Sequence, residues 1–213
     1  MAVVSVHTFR TRPGRLAEHV ALTIEGCELL VQKGLQVGAL QPIAGGEQGT
    51  IIIASSHDDF RDYAAEETRV NADPEFQAFL ARAMASDAAE PVDVALLADT
   101  DPTYVVPTDA PLGALSTYIW RPRPGKALAF VEHVATAVGH CSRVGARTRV
   151  MQSVIGGEPA SILFSLGFED LAHFGEFNDK LAVDEQWQAF WAGVMADPSG
   201  ELLRSGLYVP IGQ

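Results

Sequence analysis

From residue 3 to residue 11 the chain alternates in the period-two manner of a half-buried strand. Pro13-Gly14 ends that pattern. Leu16, Val20, Ile24, Cys27 and Val31 then recur at helical spacing and define one apolar face. Residues 37–43 predict a second strand, Gly45-Gly46-Glu47-Gln48-Gly49 a hairpin loop, and residues 50–55 a third, nearly continuous apolar strand. Asp58 and Asp59 stand where helix N-caps and first-turn acids belong, ahead of Phe60, Tyr63 and Ala64 at helical spacing. Asp73-Pro74 opens another helix through Phe76, Phe79, Leu80 and Met84, and residues 91–97 close as a fourth strand.

The same series then runs again. Arg10-Thr11-Arg12-Pro13-Gly14 returns as Arg121-Pro122-Arg123-Pro124-Gly125, 111 positions on, and Gly45-Gly46-Glu47 as Gly156-Gly157-Glu158 at the same offset. Asp73-Pro74-Glu75-Phe76-Gln77-Ala78-Phe79 returns as Asp184-Glu185-Gln186-Trp187-Gln188-Ala189-Phe190. Between these landmarks the offset is 114, which aligns His19 with His133 and Cys27 with Cys141. A period of this length marks two copies of one unit. Residues 1–100 form repeat 1 and residues 114–213 form repeat 2, joined by a proline-rich linker at 101–113. A β-α-β-β-α-β order within each copy predicts an α+β fold of two tandem ferredoxin-like units. Each sheet carries its helices on one face, and the two sheets cover each other as a pseudo-twofold α/β barrel.

The strand-Arg-Pro-Gly-helix entry, the Gly-Gly-Glu hairpin and the Asp-Pro-Glu-Phe-Gln-Ala-Phe helix start resemble the dimeric α/β-barrel superfamily. That group includes antibiotic-biosynthesis monooxygenases, NIPSNAP-type proteins and several haem proteins, and the chain looks like a fused pair of its units. The resemblance implies an enzyme for an aromatic or polyketide-like substrate, working by cofactor-independent oxygenation or by enolate-type cyclisation or isomerisation. It also implies two alternatives. One is a haem-binding or peroxidase-like protein, in the manner of chlorite-dismutase-like relatives, with the iron held by a histidine of the second unit: His133, His140 or His173. The other is a non-catalytic NIPSNAP-like binding protein.

Composition narrows the field. The 213 residues are 47% hydrophobic and 20% charged, as in ordinary globular domains. A net charge of −12 leaves no basic surface for nucleic acid or anionic lipid. No apolar run approaches a membrane span, and the start does not read as a secretory leader, so a cytoplasmic protein is expected. Two cysteines at the centre of helix faces read as buried thiols rather than as a disulfide or zinc framework. Neither a Walker loop, nor GxSxG, nor HExxH, nor GxGxxG is present, so no cofactor is expected as the leading reading. The partner is then a small aromatic molecule, and the fused pair itself could form a homodimer.

Within that frame the candidates for acid–base work are Tyr118, His7, His133 and His19. His19 and His133 recur at one helical position on the flank of the apolar face. One side of the first strand carries Ser5, His7 and Phe9, and its counterpart carries Ser116, Tyr118 and Trp120, a mixture of aromatic bulk and ionisable groups that suits a pocket. Candidates for holding substrate are Trp120, Gln152, Arg149, Phe174, Asn178 and Trp191. Arg149 stands in mid-strand and calls for a carboxylate partner or water. The second copy is the more aromatic and is expected to carry the ligand, in a cavity bordered by Tyr118 and Trp120.

Overall fold

The computed structural model describes residues 1–105 and 112–212. The first half runs β1 (Val3–Thr11), α1 (Leu16–Gln32), β2 (Gln36–Gly45), β3 (Thr50–His57), α2 (Phe60–Asn71), α3 (Pro74–Ser86) and β4 (Ala89–Asp99). The second runs β5 (Ala114–Pro122), α4 (Ala127–Val144), β6 (Arg147–Ile155), β7 (Ile162–Phe168), α5 (Leu171–Ala182), α6 (Glu185–Ala196) and β8 (Gly200–Ile211). The fold is α+β, with the same order of elements in both halves. Of the expected linker, residues 106–111 lie outside the described residues. No helix among the described residues is long and apolar enough to cross a membrane.

All strands pair antiparallel in one closed barrel, in the order β1-β3-β2-β8-β5-β7-β6-β4. Each half supplies four neighbouring strands, and two seams close the ring. At one seam β2 pairs with β8, with Ala39 opposite Ile211. At the other β4 pairs with β6, with Asp99 opposite Met151. Val4, Ala95, Leu97 and Met151 pack with Val6, Ala54 and Leu163, a cluster to which no helix contributes. Strand alternation therefore sends one set of side chains into the barrel and the other toward the helices.

The Gly-Gly hairpins serve these seams. Gly45 and Gly46 have φ of 58° and 61°, and Gly156 and Gly157 of 67° and 60°, all in the left-handed region open to glycine. A side chain on Gly45 would begin 2.6 Å from the Ser205 carbonyl oxygen of β8, and one on Gly156 would run into the Val94 carbonyl of β4. Each hairpin thus lies tightly on a strand of the opposite half.

Four aspartates cap helices as the sequence suggests. Asp59 accepts from the backbone N–H of Arg61 and Asp62, Asp73 from Phe76, Asp170 from His173 and Asp184 from Trp187. One expectation changes. The buried residues of α1 are His19, Thr23, Gly26 and Leu29, while Leu16 and Val31 are exposed, so His19 is central rather than flanking. Gly26 explains the rotation. Its missing side chain admits the Phe79 ring of α3, whose Cζ would lie 2.8 Å from an added Cβ.

Asp184 also pairs with Arg143 at 2.8 Å, and this contact with the Trp187 N–H lowers its pKa from 3.8 to about 2. A depressed carboxylate stabilises the fold above its unfolded pKa and loses that contribution as pH falls through the folded value. In acid unfolding followed by circular dichroism, wild type is expected to be more stable than Asp184→Asn at neutral pH. The margin should vanish as pH falls from 3.8 toward about 2; a margin constant over that range would deny the carboxylate this role.

Candidate functional site

Between α4 and the outer face of β6 and β7 lies an open cleft of about 380 Å³. The apolar face of α4 supplies Val131, Val134, Ala135 and Val138, and the sheet answers with Val150 and Ile162. Val131 remains 59% exposed, so this wall is only partly covered by the protein itself. The segment that follows β4 forms the polar end of the cleft. Thr100 donates from its backbone N–H to the Val150 carbonyl at 3.0 Å, tying that segment to β6.

At this end Arg149 donates from Nε and Nη2 to the two oxygens of Asp99, each at 2.8 Å. Asp99 is 1% exposed, so the carboxylate partner that a mid-strand arginine requires comes from the other half of the chain. The Arg149 guanidinium also lies over the Tyr104 ring, 4.9 Å from its centroid. Burial raises the pKa of the Tyr104 phenol and Asp99 adds to the shift, while Arg149 and Arg147 oppose it. The phenol is therefore neutral near pH 7, and Tyr104 lines the polar end of the cleft.

Of the residues singled out in the sequence, Arg149 alone lines this cleft. Tyr118 packs beneath the helices of the second half, 6.4 Å from Phe164. Trp120 meets the edge of Trp191, which stacks on Trp187 at 5.7 Å, and Phe174 abuts Phe168. Gln152 and Asn178 are exposed, Asn178 donating to the Phe174 carbonyl within its own helix. His7 is half-buried on β1, and burial lowers its pKa against the opposing pull of Glu67. His19 Nδ1 lies 2.8 Å from Thr11 Oγ1, and burial lowers its pKa as well. His133 occupies the matching position, with Nδ1 2.8 Å from Ser199 Oγ and its ring edge-on to Phe190. His140 sits among Trp187, Phe190 and Arg143, and His173 against Phe168. Cys141 is buried as expected, whereas Cys27 is half-buried and flanks the buried face of α1; burial pushes each thiol to about 11.

Sequence reasoning missed three groups. Asp99 and Tyr104 complete the cleft's polar end. The third group is a buried chain in the first half: Ser5 Oγ is 2.7 Å from Ser55 Oγ, which is 3.1 Å from His57 Nε2, while His57 Nδ1 is 2.6 Å from Glu66 Oε2. Two signals pointed to it: Ser55 and His57 at alternate positions after the apolar run 51–54 of β3, and Glu66 on the helix that follows.

No family model and no curated protein matches the chain. Solved structures share its fold at low identity. A candidate monooxygenase from Fusobacterium nucleatum aligns with a TM-score of 0.64 at 12% identity, over 99% of this chain and 92% of the other. A chlorite dismutase variant from Candidatus Nitrospira defluvii aligns at 0.54 and 11%, over 100% and 91%. A haem-binding protein from Thermus thermophilus aligns at 0.52 and 14%, over 98% and 90%. These likenesses correct the expectation that no cofactor belongs here, because solved proteins of this fold include a haem-binding protein and chlorite dismutases. What the chain is similar to is thus a barrel fold shared by monooxygenase candidates and haem proteins.

Proposed function

We propose that the chain binds a planar, largely apolar ring of the haem type in the cleft between α4 and β6. The observation that carries this reading is the partly uncovered wall of Val131, Val134, Ala135 and Val138 facing Val150 and Ile162, closed at one end by Tyr104, Arg149 and Asp99. Apolar walls with a few convergent polar groups are what such ligands require, and the volume falls within the usual range. The donor set fits iron in one way. On α4, Val134 and Val138 face the cleft, whereas His133 and His140 are engaged with Ser199, Phe190 and Trp187. Of the cleft's lining residues only Tyr104 offers a side-chain oxygen of the kind that ligates haem iron. Arg149, beside that ring, would stabilise the phenolate, and Asp99 keeps the guanidinium in place. A bound haem would supply redox chemistry at its iron.

The two halves are, in this account, copies of one unit related by a pseudo-twofold axis, with residues 101–113 as the connection. The apolar walls of the cleft come from the second copy, and Asp99, Thr100, Asp101 and Tyr104 reach its polar end from the end of the first copy and the segment after it.

Hemin titration tests the binding reading. Wild type is expected to develop a shifted, saturable Soret band. Tyr104→Phe should abolish the shift, and His133→Ala, His140→Ala and His173→Ala should retain it. A spectrum unchanged by wild-type protein, or a band lost in a histidine variant and kept in Tyr104→Phe, would overturn the assignment.

A further inference from the structure

The two halves fill one position in opposite ways. In the second half Phe168, Leu166 and Phe177 are buried together, with His173 edge-on to Phe168. Counting 111 residues back, the first half places His57, Ser55, Glu66 and Asp62 there. The fold plainly accepts an apolar core at this point. A buried polar network is usually no more stabilising than well-packed apolar groups of similar volume, so its presence in the first half calls for another explanation.

The donor geometry supplies one. His57 ends β3, and Asp62 and Glu66 lie one turn apart on α2. Their ligand atoms all lie within 4.8 Å of one another. The His57 side chain is 0% exposed and that of Glu66 is 19% exposed, so a buried nitrogen meets two carboxylates that reach solvent. Ser55 Oγ lies 3.1 Å from His57 Nε2 and is itself held by Ser5, so the ring can donate from Nε2 and present the Nδ1 lone pair to the carboxylates. A hydrogen bond on the far nitrogen is the usual support of a metal-binding histidine.

We infer that His57 Nδ1, Asp62 and Glu66 form a binding site for a divalent first-row transition cation of the Zn²⁺ or Co²⁺ type. Imidazole nitrogen with carboxylate oxygen suits such ions, and two carboxylates balance the charge. The cation replaces the proton held between His57 Nδ1 and Glu66 Oε2, and that proton leaves to solvent. Donor–metal distances near 2.1 Å require ligand atoms about 3 to 3.5 Å apart. His57 Nδ1 and Glu66 Oε2, now 2.6 Å apart, therefore open slightly as the cation enters, and the set as a whole, within 4.8 Å, needs only side-chain adjustment. The remaining coordination positions face solvent, past the partly exposed Asp62 and Glu66. This site belongs to the first half and does not depend on the α4–β6 cleft.

The test is a titration of the full chain, free of any affinity tag, with Co²⁺, read by visible d–d absorption and by equilibrium dialysis. One Co²⁺ per chain is expected, displaced by Zn²⁺. Asp62→Asn and Glu66→Gln should each weaken binding at least tenfold, and Ser55→Ala should weaken it about 10- to 100-fold through the ring's orientation. Asp62 is part-exposed, so Asp62→Asn decides the matter if Glu66→Gln unfolds, with circular dichroism confirming its fold. The inference is overturned if wild type takes up no Co²⁺ at millimolar concentration, or if Asp62→Asn binds it as tightly as wild type.

Discussion

Arg149→Leu is expected to lower folding stability by about 3 to 5 kcal/mol, the usual cost of removing one partner from a buried ion pair. Asp99 is 1% exposed and its carboxylate accepts from Arg149 Nε and Nη2 at 2.8 Å each, so the variant would strand a carboxylate at the β4–β6 seam. The loss arises from the stranded charge more than from the lost contact. The double variant Asp99→Leu/Arg149→Leu should therefore recover most of it, since a buried pair and an apolar pair of similar volume are often close in stability. Urea unfolding of wild type, both single variants and the double variant measures the coupling directly. A single-variant loss under about 1 kcal/mol, or a double variant worse than either single one, would show that the pair does not hold the seam in this way.

The second large effect is expected from Phe168→Ala. Phe168 is 0% exposed and touches Phe174, Phe177 and His173 at ring separations of 5.4, 5.2 and 5.5 Å. Truncating a fully buried phenylalanine costs about 3 to 5 kcal/mol, from lost transfer energy and from the cavity left behind. The midpoint of urea unfolding should fall accordingly with the slope unchanged. A loss below about 1.5 kcal/mol would mean that α5 collapses onto β7 and refills the space.

The strands and hairpins were legible in the sequence because their signals are local. Period-two alternation places β1, and paired glycines mark two hairpins that need positive φ. Aspartates ahead of apolar runs mark four helix starts, and those side chains do accept the first-turn N–H groups. The face of α1 was not legible. It is set by the approach of Phe79 to Gly26 and by the Thr11 hydroxyl that meets His19, contacts between segments rather than within one. For the same reason Arg149 could be identified as needing a partner while Asp99, 50 residues away, could not be named. Tyr104 was hidden in the proline-rich stretch taken as a linker, and only the fold brings it to Arg149. The aromatic candidates Tyr118, Trp120 and Trp191 pack on one another or on neighbouring rings such as Phe164 and Trp187, and a sequence alone does not distinguish such packing from a ligand pocket.

The most direct test of a ligand cleft in the second half is methyl NMR of valine- and isoleucine-labelled protein with hemin added. Paramagnetic broadening is expected first at Val131, Val134, Val138, Val150 and Ile162, with Ile51 and Val70 of the first half retaining their signals. Broadening centred on Ile51 and Val70, or methyl spectra unchanged by hemin, would contradict the cleft as the site.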